Sequence, residues 1–169
     1  MNLQFFLEKL QGSEEYKGFI KENPDAFLAS GFFIIDVENN EKSNKYHLDY
    51  YCAWKKGENG KMFSFQLEEG IKLVPLELLD SFKATRIKLD STTEFKEIEE
   101  IILREMKKQG IKNKLQKIIM SLQNINNKNI FICTVFVSML GLIKVTIDDS
   151  NKEITSFEKK SFFDMLKKG

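Results

Sequence analysis

Arginine is scarce in this chain: of 26 basic residues only Arg86 and Arg104 carry a guanidinium. Guanidinium forks make the bidentate contacts that read guanine and clamp phosphate, so their scarcity argues against nucleic-acid recognition. Basic and acidic side chains number 26 and 25, for a net charge of +1, and the two signs are mixed along the chain. Such a balance sets up no long-range field to gather phosphates. Histidine and tryptophan each occur once, as His47 and Trp54. One histidine and two isolated cysteines make a poor set of soft metal ligands. Cys52 and Cys133 belong to no CxxC pair. Each sits inside an apolar run, as a buried thiol would, and a disulfide joining the two halves is the alternative.

Long apolar runs are missing as well. The longest, Ile130 to Leu142, holds Thr134, Ser138 and Gly141 and falls short of the eighteen or so residues of a membrane span. The N-terminus lacks a basic leader and meets Glu8 early, so no signal peptide is read there. The expectation is a soluble, cytoplasmic chain with no membrane insertion. No GxxxxGK[ST] and no GxGxxG occurs, so Gly57, Gly60 and Gly70 do not form a phosphate loop. No cofactor is expected.

What the chain has in quantity is phenylalanine, 15 residues in 169, enough large apolar area to build a core. Leu3, Phe6, Leu7 and Leu10 recur at helical spacing. Gly12-Ser13 breaks that helix, and Ser13 caps a second one carrying Tyr16, Phe19 and Ile20, which ends before Pro24. Phe27 to Val37 reads as a strand, with Gly31 as a candidate bulge. Tyr46, Leu48, Tyr50, Cys52 and Trp54 alternate with His47, Asp49, Tyr51 and Ala53, the signature of a strand buried on one face. A turn through Lys55 to Gly60 leads to a returning strand with Phe63, Phe65 and Leu67. Ile71 to Val74 continues the sheet, Leu76 to Leu79 fits a short helix after Pro75, and Thr85 to Leu89 fits a further strand.

Ser91 and Glu94 match a capping box before a helix with Phe95, Ile98, Ile101, Ile102 and Met106 on one face, and Gly110 suits its C′ position. A second helix is expected over Leu115, Ile118, Ile119 and Leu122. Strands follow at Ile130–Met139, Leu142–Ile147 and Ile154–Phe157. A last short helix holds Phe162, Phe163, Met165 and Leu166. The fold class is therefore α+β, with helices packed on antiparallel sheet. It divides into two related halves, 1–90 and 91–169, each a helix pair followed by sheet and packed together as one unit. Phe32–Val37 and Phe131–Val137 occupy similar places in the two.

The stretch from Val145 to Ile154 resembles the hairpin signature of PepSY-type domains: an apolar strand ends in Asp148, enters a tight turn, and leaves on Glu153 and Ile154. Lys152 stands where that family usually has Gly. The resemblance implies a PepSY- or cystatin-like packing of helix on curved antiparallel sheet, in a family whose members are often secreted inhibitory or regulatory modules.

Candidate chemistry is thin. His47, Asp49 and Tyr51 share one strand face, and a His-x-Asp pair could serve as a base with its orienting carboxylate. No activated nucleophile accompanies it, and a structural histidine is the plainer reading. Asp148 and Asp149 lack the spacing of a calcium loop and fit an Asx-type turn. Glu97, Glu99 and Glu100 form a solvated helix face. Lys107, Lys108, Lys112, Lys114 and Lys117 make the one basic patch, open to lipid headgroups or RNA or simply solvated. The expected function is a non-catalytic protein-binding or regulatory domain whose partner is another protein or a second copy. His47, Asp49, Tyr51 and Trp54 are its candidate interaction surface, and the strands at Lys61–Leu67 and Glu153–Phe157 its candidate edges. The alternative is an enzyme or small-ligand protein with a pocket between helices and sheet.

Overall fold

The computed structural model describes residues 2–39, 41–53, 59–79, 82–89, 92–161 and 166. Helix α1 (Leu3–Gln11) starts where the Asn2 side chain accepts a hydrogen bond from the Phe5 N–H at 2.9 Å. Helix α2 (Glu14–Glu22) starts in the same way at Ser13, which accepts from the Tyr16 N–H, and ends at Asn23 before the proline. Eight strands and a third helix follow: β1 (Phe27–Asp36), β2 (Lys45–Cys52), β3 (Lys61–Gln66), β4 (Lys72–Leu76), α3 (Phe95–Lys108), β5 (Leu115–Ile125), β6 (Lys128–Val137), β7 (Gly141–Asp148) and β8 (Ile154–Ser161).

The strands form one sheet in the order β4-β3-β2-β1-β5-β6-β7-β8, antiparallel throughout. Each group of four consecutive strands is a meander, and the two meanders meet at β1 and β5. The helices lie on one face. From α1, Phe6 stacks on Tyr46 of β2 at 4.1 Å, while Tyr16 and Phe19 of α2 meet Tyr50 and Phe65. Helix α3 buries Phe95, Ile98, Ile101, Ile102 and Met106. Each such burial contributes roughly 1.5–3 kcal/mol. The fold is α+β, with helices packed against an antiparallel sheet.

The structure departs from the sequence reading at several places. Residues 115–122 are strand β5, so no second helix follows α3 there; of the expected last helix only Leu166 is described, and it is helical. Leu115, Ile118, Met120 and Leu122 are buried in β5, and a register shift between Leu115 and Lys117 separates the first two by three residues. That shift imitates helical spacing, because a bulge adds a residue and brings i and i+3 onto one face. The N-cap of α3 is Glu94, whose side chain makes no capping bond; Ser91 lies outside the described residues. Gly110 does take the left-handed conformation, at φ 70°.

The irregularity in β1 falls between Leu28 and Ser30, not at Gly31, which pairs regularly with Leu48. Gly31 instead makes room, since a Cβ there would come within 2.7 Å of the buried Phe33 ring. Strand β3 is interior, flanked by β2 and β4, so it is not an edge. Residues 77–79 are not helical, and 85–89 form no strand, although the Ile87 N–H donates to the Leu28 carbonyl at 2.8 Å. The strand order makes β5, not β6, the counterpart of β1. Trp54, Phe162, Phe163 and Met165 lie outside the described residues.

Two turns contrast sharply. Between β5 and β6 the left-handed positions are Asn126 and Asn127, at φ 52° and 63°. Between β6 and β7 they are Met139 and Leu140, at φ 63° and 56°. Asparagine visits this region at modest cost, whereas for side chains without a local hydrogen bond it costs about 1–2 kcal/mol per residue.

Candidate functional site

The alternation in β2 sends Tyr46, Leu48, Tyr50 and Cys52 toward the helices and His47, Asp49 and Tyr51 to the opposite, helix-free face. These three share a face, and it is the outer one. A pocket between helices and sheet therefore does not contain them. His47 Nε2 lies 3.2 Å from Glu68 Oε1, and its ring packs against Phe32. Glu68 also meets Lys45 at 3.2 Å. Burial works against ionisation of Glu68, but hydrogen bonds from His47, Lys45 and the Tyr46 amide outweigh it, so its carboxyl sits below the ordinary range. Tyr51 packs on Phe27 and leans over Gly60, where any Cβ would collide with its ring.

Asp49 is buried, and Ser30 Oγ donates to its Oδ2 at 2.8 Å. Ser64, its register partner on β3, is buried beside it. Asp49 Oδ1 and Ser64 Oγ fall short of hydrogen-bond geometry with each other or any other group. Burial raises the Asp49 carboxyl; the hydroxyls of Ser64 and Ser30 and the charge of His47 pull the other way without cancelling it.

Beyond this polar corner the open face turns apolar. The register aligns Phe32, Ser121, Ile132 and Thr146 in one row across β1, β5, β6 and β7. Ile34, Ile119, Thr134 and Lys144 form the next, and Lys117, Phe136, Leu142 and Lys160 the third. Phe32, Ile34, Ile119, Phe136 and Leu142 are half-buried, and Ile132 is 38% exposed. The sequence carried a sign of this second face. Phe32–Ile35 and Ile130–Cys133 are unbroken apolar runs rather than alternating ones, and an unbroken run means apolar side chains on both faces.

A cleft of about 810 Å³ lies at the end of the sheet where β1 begins, lined by Arg86, Lys88, Asn124, Lys128, Asn129 and Lys152 among others. Its charges are largely matched. Lys128 pairs with Asp148 at 3.0 Å, Lys152 with Asp149 at 2.8 Å, and Arg86 sits over the Phe27 ring. Asp148 accepts from both the hydroxyl and the N–H of Ser150, an Asx turn, which with Lys128 holds its carboxyl down to about 2. Among the described residues no group of three or more His, Cys, Asp or Glu side chains is placed to hold a metal ion. No helix among them is long and apolar enough to cross a membrane.

No family model and no curated protein matches this chain. Among solved structures it is similar to the crystal structure of a "putative lipoprotein" from Clostridium difficile 630. The two are 13% identical, with a TM-score of 0.52, over 87% of this chain and 91% of that one. At that identity the likeness shows a shared fold, and the lipoprotein description stays with the neighbour.

Proposed function

We propose that the chain is a non-catalytic protein-binding domain whose working surface is the helix-free face of the sheet. The observation that carries this reading is the strip of six apolar side chains, Phe32, Ile34, Ile119, Ile132, Phe136 and Leu142, set among serine and threonine hydroxyls with Lys117, Lys144 and Lys160 at its margins. A contiguous apolar patch with a polar rim is what protein interfaces present. The His47–Glu68 and Asp49–Ser30 contacts border the strip and serve to fix its shape. The PepSY-like hairpin around Asp148 supports the same regulatory reading. Two unpaired cysteines support a cytoplasmic address.

Ile132→Glu puts a charge in the middle of the strip. Because Ile132 is already 38% exposed, the melting temperature should stay within about 2 °C of wild type. Quantitative affinity capture from the native cell, with light scattering for self-association, should show the partner or second copy lost at least ten-fold. Retention of all association by Ile132→Glu, together with loss of a small-molecule turnover in His47→Ala, would replace this reading with the enzymatic one.

A further inference from the structure

The tip of the β6–β7 hairpin is built against the ordinary rules for turns. Met139 is 90% exposed and Leu140 61%, so neither contributes to the core. Both stand in the left-handed region, which the β5–β6 turn of the same sheet fills with Asn126 and Asn127. Nothing in the fold rewards Met and Leu at those positions. The tip is also braced outward. The Ser138 N–H donates to the Lys114 carbonyl at 2.8 Å, Asn113 Nδ2 to the Ser138 carbonyl at 2.9 Å, and the Lys114 N–H to Ser138 Oγ at 2.8 Å. Those same bonds fix the backbone of the basic segment beside the tip. Lys112 and Lys114 are exposed there, α3 delivers Lys107 and Lys108 just before them, and Lys160 pairs across from Leu142. The nearby carboxylates are few. Glu38 approaches Lys114 at 3.8 Å, Glu105 approaches Lys108 at 3.8 Å, Glu158 approaches Lys160 at 3.5 Å, and Asp36 is buried against Lys117. Among the described residues Lys107 and Lys112 make no ion pair.

We propose that this hairpin tip is a shallow membrane-docking device: Met139 and Leu140 enter the headgroup–acyl boundary of an anionic bilayer while Lys112 and Lys114 engage the lipid phosphates. Two side chains on a convex tip cover far less than the roughly 800 Å² per partner that a specific protein interface needs. A bilayer surface demands no matching shape, and lysines act on it through diffuse charge. Docking by the tip enters the membrane along the strand direction, which leaves the helix-free face clear. The inference therefore stands independently of the proposed protein-binding face, and its variants do not touch that face.

The test is co-sedimentation of the full chain with vesicles of phosphatidylcholine and phosphatidylglycerol, against vesicles of phosphatidylcholine alone. Wild type should bind the anionic vesicles, bind the neutral ones at least ten-fold more weakly, and be released as salt rises past about 0.15 M. Lys112→Gln and Lys114→Gln should each weaken binding about five-fold. The double variant Met139→Asn/Leu140→Gly installs residues that accept the left-handed region, so it should melt no lower than wild type yet lose binding at least ten-fold. Met139→Cys can be labelled selectively with a polarity-sensitive dye, because Cys52 and Cys133 are buried; its emission should shift to the blue on anionic vesicles. Absence of wild-type binding, equal binding to neutral vesicles, undiminished binding by the Asn-Gly variant, or an unshifted dye would each overturn the proposal.

Discussion

Asp49 occupies the least favourable environment of the polar groups on the open face. Its carboxylate is buried, one oxygen has the Ser30 hydroxyl, and the other has no partner of good geometry. Because burial raises its folded pKa above the unfolded value, the protonated form is the one the fold prefers. The penalty is absent below the unfolded pKa of about 4 and grows as pH rises through the folded value. Asp49→Asn removes the charge, and its amide can donate to Ser64. Urea unfolding should show a gain of about 1 kcal/mol near neutrality that vanishes below about pH 4. An equal gain at both pH values would mean that packing, not ionisation, is responsible. Asp148 has the opposite sign. Its contribution is complete above the unfolded value and is lost as pH falls through about 2.

At the scale of elements, position in the sheet decides what a strand tolerates. Ser64 is paired on both sides, with Asp49 on β2 and Val74 on β4. Proline there removes a ladder donor whichever neighbour uses it, and should cost about 3 kcal/mol or more. Thr155 lies at the register shift of β8, between the paired residues Ile154 and Ser156, on the outermost strand. Thr155→Pro should cost less than half as much, since edges and bulges accept proline, as Pro75 in β4 already shows. Denaturant midpoints of the two variants decide the matter, and equal losses would contradict the assigned order. The two short helices, the long amphipathic one and the Tyr46–Cys52 strand were legible because each shows its period within its own residues. Strand β5 was not, since a bulge wrote a helical spacing into it. Local alternation placed His47, Asp49 and Tyr51 on one face. Which face the helices would cover depends on how they fold back, and Glu68, from the bend after β3, and Ser30, from β1, reach His47 and Asp49 from elsewhere in the chain.

For the whole molecule, the order of strands keeps the two thiols apart. Cys52 on β2 and Cys133 on β6 have β1 and β5 between them, three strand spacings or roughly 14 Å. A disulfide needs Cα atoms within about 7 Å, so the intramolecular link weighed from the sequence does not form. Burial also pushes the Cys133 thiol up to about 12 and raises Cys52. A thiol-reactive chromophore should therefore label neither cysteine in the native protein within minutes and both in denaturant. Rapid native labelling of Cys133 would contradict its placement.

The junction between the meanders also bears on how the protein is born. Every other pairing joins strands adjacent in sequence, but β1 pairs with β5, so Asp36 must find Lys117 and Ser30 must find Gln123. Such distant contacts slow folding, because a long loop closes before they are rewarded. On a ribosome adding roughly 5–20 residues per second, the first meander is complete while β5 is still unmade. For a time on the order of ten seconds the apolar strand Phe27–Asp36 has one edge without a partner. The nascent chain thus passes through a window in which its centre is briefly a border, and that window is where a chaperone would meet it.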